Sequence, residues 1–236
     1  MDGFQYNQFM RHVKAIVYDA VGTLIHVTPS VAQIYADVGR RFGSRLEAKD
    51  VRQRFPIAFA RQERLDAATG WRTDEERELR RWRDIVGEIL DDVHDTDACF
   101  ATLWDAFSAA DAWTCDAPSA EVIAALRERG VVQAIASNFD GRLHGLLEGM
   151  PALRGLAPIV ISSEVGWRKP APQFFAHLLH LLKLPANHVL FVGDDRGNDY
   201  DAAMRAGMPA VLLDPTEKHV QLSDRIRCLS ELINLI

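Results

Sequence analysis

The chain has 236 residues, a formal charge of −6 and 48% hydrophobic residues, so it can bury the core of one large domain or of a domain with an insertion. Its 27 basic residues are interspersed among 33 acidic ones, which argues against a nucleic-acid-binding protein. No apolar run approaches the ~20 residues of a membrane-spanning helix, and residues 1–14 lack the apolar core of a signal peptide, so a cytoplasmic protein is expected.

In chain order, the first element is the apolar run Ala15-Ile16-Val17-Tyr18, read as a buried strand and followed at once by Asp19-Ala20-Val21-Gly22-Thr23-Leu24. A carboxylate at the end of a buried strand, next to a glycine turn, is placed to act on a ligand rather than to pack. The segment 29–111 then contains no convincing strand and reads as helices over 30–42, 48–66, 73–93 and 97–109. Ser30 with Gln33 resembles a capping box. In the third of these helices Glu76–Arg80 and Arg80–Asp84 are spaced i,i+4, and Trp82, Ile85, Ile89 and Val93 supply an apolar face. The mixed charges over 72–84 are therefore expected to be mainly a solvated face.

Beyond residue 112 strands are expected at 131–136, 159–162, 189–192 and 210–213, with helices at 119–129, 141–148, 172–182 and 199–206. Short apolar runs alternating with helices predict a parallel sheet covered on both faces. Ser119 is placed to cap the first of these helices and Gly130 to end it, while Pro170 and Pro172 lead into the third. Cys99, Cys115 and Cys228 are odd in number and without C-x-x-C spacing, so they indicate neither a disulfide framework nor a zinc site and are expected to be buried, reduced thiols.

Four polar elements follow predicted strands: Asp19 to Thr23; Ser137-Asn138; Lys169 in Gly166-Trp167-Arg168-Lys169-Pro170; and Gly193-Asp194-Asp195 with Asp199. In an open α/β sheet ligands bind outside the carboxyl ends of the strands, which gathers all four at one rim. A carboxylate nucleophile, hydroxyl and amide donors, one lysine and further carboxylates suit a dianion handled with a divalent cation. Magnesium takes few protein carboxylates and shares substrate phosphate, so Asp19 and Asp194 would be its ligands. Lys169 would offset charge on Asp19, Ser137 and Asn138 would donate to phosphate, and Gly22 would admit a close backbone approach.

The order Asp19-x-x-Gly22-Thr23-Leu24, Ser137-Asn138, Lys169-Pro170, Gly193-Asp194-Asp195-x3-Asp199 resembles motifs I to IV of the haloacid dehalogenase-like (HAD) hydrolase superfamily over residues 14–214. The resemblance implies a doubly wound, Rossmann-like α/β core over 1–27 and 112–236, with an all-helical cap over 28–111. It also implies that Asp19 forms a covalent aspartyl intermediate and that magnesium contacts Asp19, the main-chain carbonyl of Val21, and Asp194. Asp199 and Asp195 would act from behind these ligands, and Thr23 would orient Asp19 or stabilise the turn.

Position 21 departs from the pattern, because phosphatases of this superfamily carry there an Asp that protonates the leaving oxygen and Val cannot. General acid–base assistance is typically worth about 10²–10⁴-fold, so a phosphatase without it should favour aryl and acyl phosphates over alkyl esters. His26 is the nearest substitute in sequence but is better read as a hinge or surface residue, and Arg168 as solvated. Relatives that dehalogenate 2-haloacids also lack this Asp; they typically carry Tyr at this position and do not need the motif IV carboxylates, which here argue for a cation. A third reading is a phosphate-binding or regulatory protein without turnover. The expected partner is a small phosphorylated metabolite, handled by a monomer or homodimer, with Trp71, Arg72, Arg77 or Trp82 as candidate cap contacts, of which Trp82, beside Ile85, is better read as core.

Overall fold

The computed structural model describes residues 12–236. Most of the segment 1–14, in which no signal peptide is expected, lies outside the described residues. A six-stranded parallel sheet has the order β5-β4-β1-β6-β7-β8, where β1 is Ala15–Tyr18, β4 Val132–Ser137, β5 Ile159–Ile161, β6 Val189–Gly193, β7 Ala210–Leu213 and β8 Arg225–Ile226. All five strand pairings are parallel, as continuous apolar runs predict. Because side chains alternate along a strand, Ile16 and Tyr18 join the apolar cluster on one face, while Ala15 and Val17 join the cluster on the other.

The registers decide where the chemistry collects. Tyr18 lies opposite Ile135 on one side and Val192 on the other, so Asp19, Asn138 and Asp194 leave neighbouring strands at the same edge of the sheet. The covering helices include α5 (Ala117–Glu128), α6 (Arg142–Glu148), α8 (Pro172–Leu182) and α9 (Asp201–Arg205), with the single turn α7 (Ser162–Val165) after β5. Asp116, rather than Ser119, caps α5: its carboxylate accepts the Ser119 N–H at 2.9 Å, while Gly130 follows the helix at φ +75°. The chain enters α9 through a π-turn over Arg196–Tyr200 instead of continuous α-helix.

Between β2 (His26–Val27) and β3 (Trp113–Thr114), which pair antiparallel, run α1 (Val31–Arg41), α2 (Ala48–Ala68), α3 (Glu75–Ile89) and α4 (Thr96–Ser108). These helices share an apolar cluster of their own, including Tyr35, Ile85, Ile89 and Leu103. Ser30 caps α1, but the Gln33 amide bonds Asp37 instead of reaching back; the reciprocal box belongs to Glu47 and Asp50 at the start of α2. On α3 Arg80 pairs with Glu76, whereas Asp84 accepts from Gln62 on α2 at 3.3 Å.

The mainly solvated face expected over 72–84 holds for Arg72, Asp74, Glu75, Glu76, Arg80, Arg83 and Asp84, which are exposed, but two charges of α3 depart from it. Glu78 and Arg81 are 1% and 0% exposed and belong to a buried cluster with Glu63 and Asp66 of α2, Arg77 of α3 and Arg168. A mixed-charge helix face looks the same in sequence whether it meets water or a complementary helix. Only Cys99 of the three cysteines is buried; Cys115 is half-buried and Cys228 exposed, and all are unpaired thiols. Among the described residues no helix is long and apolar enough to cross a membrane.

Candidate active site

The turn after β1 is closed by its own backbone: the N–H groups of Leu24 and Ile25 donate to the Ala20 carbonyl at 2.8 and 2.9 Å, and that of Gly22 donates to Ile25. This holds Gly22 at φ +90°, open to glycine and strained for other residues. A Cβ at Gly22 would also collide with the Asp194 carboxylate, and one at Gly193 with that of Asp199. The close approach expected of Gly22 is therefore to Asp194. Thr23 is buried and its hydroxyl donates to Asp194 at 3.4 Å, so it orients that carboxylate and not Asp19.

Lys169 is 1% exposed and its ammonium is fully engaged, donating to Asp19 Oδ1 at 2.7 Å, Asp199 Oδ1 at 2.6 Å and the Ala136 carbonyl at 3.0 Å. Burial pulls its pKa down, but Asp19 and Asp199 more than reverse this and hold it above the ordinary lysine value. Burial pushes the Asp19 carboxyl up, opposed by Lys169 and reinforced by Asp194. Asp194 opens onto the rim yet is crowded by protein; that desolvation, followed by the charge of Asp199, pushes it up to about 6.

One ammonium thus faces three carboxylates. Asp19, Asp194 and Asp199 each offer an oxygen within 4.8 Å of the others. Both oxygens of Asp199 are engaged, Oδ1 by Lys169 and Oδ2 by the Asp195 N–H at 3.1 Å. Asp194 makes no ion pair among the described residues. A hard divalent cation bound through oxygen would relieve this excess negative charge, so the donor set fits one.

The other expected site residues divide. Ser137 is buried on the cavity wall, and its hydroxyl makes no hydrogen bond to another described residue. The Asn138 side chain is partly engaged on the cavity wall: one amide N–H donates to the Lys169 carbonyl at 2.9 Å and its oxygen accepts the Lys169 N–H at 2.7 Å, which leaves the second amide N–H. It positions the lysine backbone. Asp195 accepts the N–H groups of Gly197 and Asn198, both at 2.8 Å, and so shapes the loop that presents Asp194. His26 is exposed on β2, in keeping with a hinge or surface position. Arg168 is not solvated; it is buried against Glu78 and reaches Glu63 at 3.5 Å.

Above the rim lies a cavity of about 320 Å³, between the sheet edge and α1 to α4. Asp19, Val21, Lys169 and Asp194 form its floor, while Tyr35, Phe55, Phe59, Trp82 and Trp104 are among the residues of its upper wall. Of the four cap candidates named from sequence only Trp82 lines it. Trp71 and Arg72 instead hold the Arg168 segment, through the Trp71 carbonyl and an antiparallel bridge from Arg72 to Trp167, and Arg77 bonds Asp66 and Gln62. Sequence reasoning missed the buried cluster, although Glu63 and Asp66 lie three apart on α2 and Arg77 and Arg81 four apart on α3, the spacing of two matching helix faces.

The comparisons with known proteins agree with this fold. A zebrafish (Danio rerio) protein, haloacid dehalogenase-like hydrolase domain-containing protein 3, is 27% identical over 206 residues, covering 85% of each chain. The solved structure of a dehalogenase with an intermediate complex superposes with a TM-score of 0.75 at 18% identity, covering 95% of this chain and 97% of that one. A HAD phosphatase from Thermococcus onnurineus gives 0.67 at 20% identity, with coverage of 94% and 97%. These two share the fold, and they catalyse different reactions on it. The model of the haloacid dehalogenase-like hydrolases matches residues 13–207, and the chain belongs to that family.

Proposed function

We propose that the protein is a magnesium-dependent phosphatase that transfers a phosphoryl group to Asp19 and then to water. The observation that carries this reading is the carboxylate excess at the rim, three carboxylates against Lys169 alone, which suits a cation and a phosphoryl group together. Asp19 and Asp194, with the Val21 carbonyl, would hold the magnesium; when bound, it neutralises charge on the phosphoryl oxygens. Asp19 would attack phosphorus, forming a carboxyl–phosphate bond as the bond to the leaving oxygen breaks and that oxygen keeps the electron pair. Water then cleaves the acyl phosphate, releasing inorganic phosphate and restoring the Asp19 carboxylate.

Lys169 fixes the Asp19 carboxylate through Oδ1, and Asn138 fixes Lys169 through both backbone groups. The Ser137 hydroxyl is available to donate to the phosphoryl group. Val21 offers no proton to the leaving oxygen, so esters whose leaving group departs as a stable anion are favoured: aryl and acyl phosphates. A small phosphorylated metabolite of that kind is the proposed substrate.

The test is hydrolysis of p-nitrophenyl phosphate and acetyl phosphate with magnesium and with chelator, by wild type and Asp19→Asn. Magnesium-dependent release, abolished in the variant, is expected. A second reading, dehalogenation of a 2-haloacid, is favoured by Val21, since halide needs no proton. Chloride release from 2-chloropropionate without phosphate release would replace the first reading with it. Binding of a phosphate mimic with no turnover of any substrate would make the protein a phosphate binder.

A further inference from the structure

We propose that the cavity above Asp19 is built for a flat, apolar leaving group, so that the substrates are hydrophobic aryl esters of phosphate. This deepens the phosphatase reading and rests on it. The cavity is continuous from the Asp19 carboxylate to an upper wall in which Phe55, Phe59, Trp82 and Trp104 take part. Its volume, about 320 Å³, is at the small end of the ~300–1,000 Å³ usual for small-molecule pockets. Flat aromatic walls favour stacked or edge-on contact with another ring.

Charge points the same way. Every cation on the cavity wall already has its carboxylate. Lys169 is held by Asp19 and Asp199, and Arg168 by Glu78 with Glu63 beside it. Arg142 makes two bonds to Asp140, at 2.7 and 2.8 Å, and its guanidinium carbon stacks 3.3 Å from the centre of the Trp104 ring. No cation on the wall is left for a second anionic group on the substrate. Against Phe55, Phe59, Trp82 and Trp104 the hydroxyls of a sugar phosphate would lose water to apolar rings, and of the polar groups lining the cavity Glu63 and Glu78 are already held by arginines. Val21 completes the match on the floor. It is 37% exposed, presents methyl groups where a proton donor would be needed for an alkoxide, and leaves an aryloxide unhindered.

The experiment compares kcat/KM for phenyl phosphate, 2-naphthyl phosphate, acetyl phosphate and glucose 6-phosphate with magnesium, using Asp19→Asn as the background. Phenol and 2-naphthol are of similar acidity, so the naphthyl ester isolates the effect of apolar contact. Its kcat/KM is expected to exceed that of the phenyl ester about tenfold through a lower KM, as burial of roughly 50 Å² more apolar surface implies. Glucose 6-phosphate is expected to be the poorest substrate. Equal or lower kcat/KM for the naphthyl ester, alongside Asp19-dependent release from acetyl phosphate, overturns the inference and leaves the phosphatase reading standing. No Asp19-dependent release from any of the four compounds overturns the reading and the inference with it.

Discussion

Val21 concentrates the residue-scale chemistry. Its neighbours Asp19 and Gly22 keep the geometry of the turn, while its own side chain faces the cavity without a titratable group. Val21→Asp is predicted to raise kcat/KM toward alkyl phosphates by about 10²-fold or more, the usual worth of a positioned general acid. Aryl phosphates should change little. Parallel kinetics on both ester classes would check this, and equal rates in the two proteins toward alkyl esters would refute the leaving-group argument. Asp19 and Asp194 were legible in the sequence because a sheet sends the residue after each strand to a common edge, and Lys169, eight residues beyond β5, through the motif resemblance. The partners of Thr23 and Asn138 were not, since a hydroxyl or amide can reach several groups from one backbone position, and only the packed turn selects Asp194 and Lys169.

At the scale of elements, the buried cluster joins α2 and α3 to the segment carrying Lys169. Arg77, Arg81 and Arg168 balance Glu63, Asp66 and Glu78, three charges against three, across helices and the sheet rim. The Thr73 N–H donating to Gly166 and the Ser163 hydroxyl donating to Glu75 tie the same surfaces together. Removing one partner of a buried pair leaves the other charge desolvated, typically at about 3–5 kcal/mol. Glu78→Gln should therefore destabilise the protein by about 3 kcal/mol, the low end of that range, because Glu63 and Asp66 stay near Arg168. Urea unfolding of Glu78→Gln, of Arg168→Met and of the double variant would measure the coupling; additive losses would show that the pair carries no shared energy. The helices were legible from apolar spacing and caps, but the mates of their polar faces were not. β2, β3 and β8, two residues each, are too short for periodicity to reveal.

For the whole molecule, carboxylate crowding at the rim links stability to the cation. Asp194 is pushed up to about 6 from an ordinary 3.8, chiefly by burial and then by Asp199. A raised carboxyl stabilises the fold below its unfolded value, and that contribution is lost as pH rises through the folded one. In the metal-free protein Asp194 should thus cost stability between about pH 4 and pH 6, and Asp199, pushed up to about 7 chiefly by burial, should extend the loss to neutrality. Magnesium at a hundred times its Kd should restore about 2.7 kcal/mol at pH 7.5, visible as a rise of several degrees in Tm over a chelated sample. Asp194→Asn should melt higher than wild type in chelator and show no magnesium response. A wild-type Tm indifferent to magnesium would exclude this rim as a cation site.

The sequence by itself determined the parallel α/β core, the helical run between Val27 and Trp113 and the rim position of Asp19 and Asp194, because strand and helix periods and strand ends are local properties of the chain. Only the tertiary structure decided that Arg168 is buried, that Arg77 and Arg81 of α3 pair with α2, and that aromatic residues from α1, α2, α3 and α4 enclose the space above Asp19. Those are contacts between faces distant in the chain, and a side chain's partner there is chosen by packing geometry and desolvation, which no local pattern encodes.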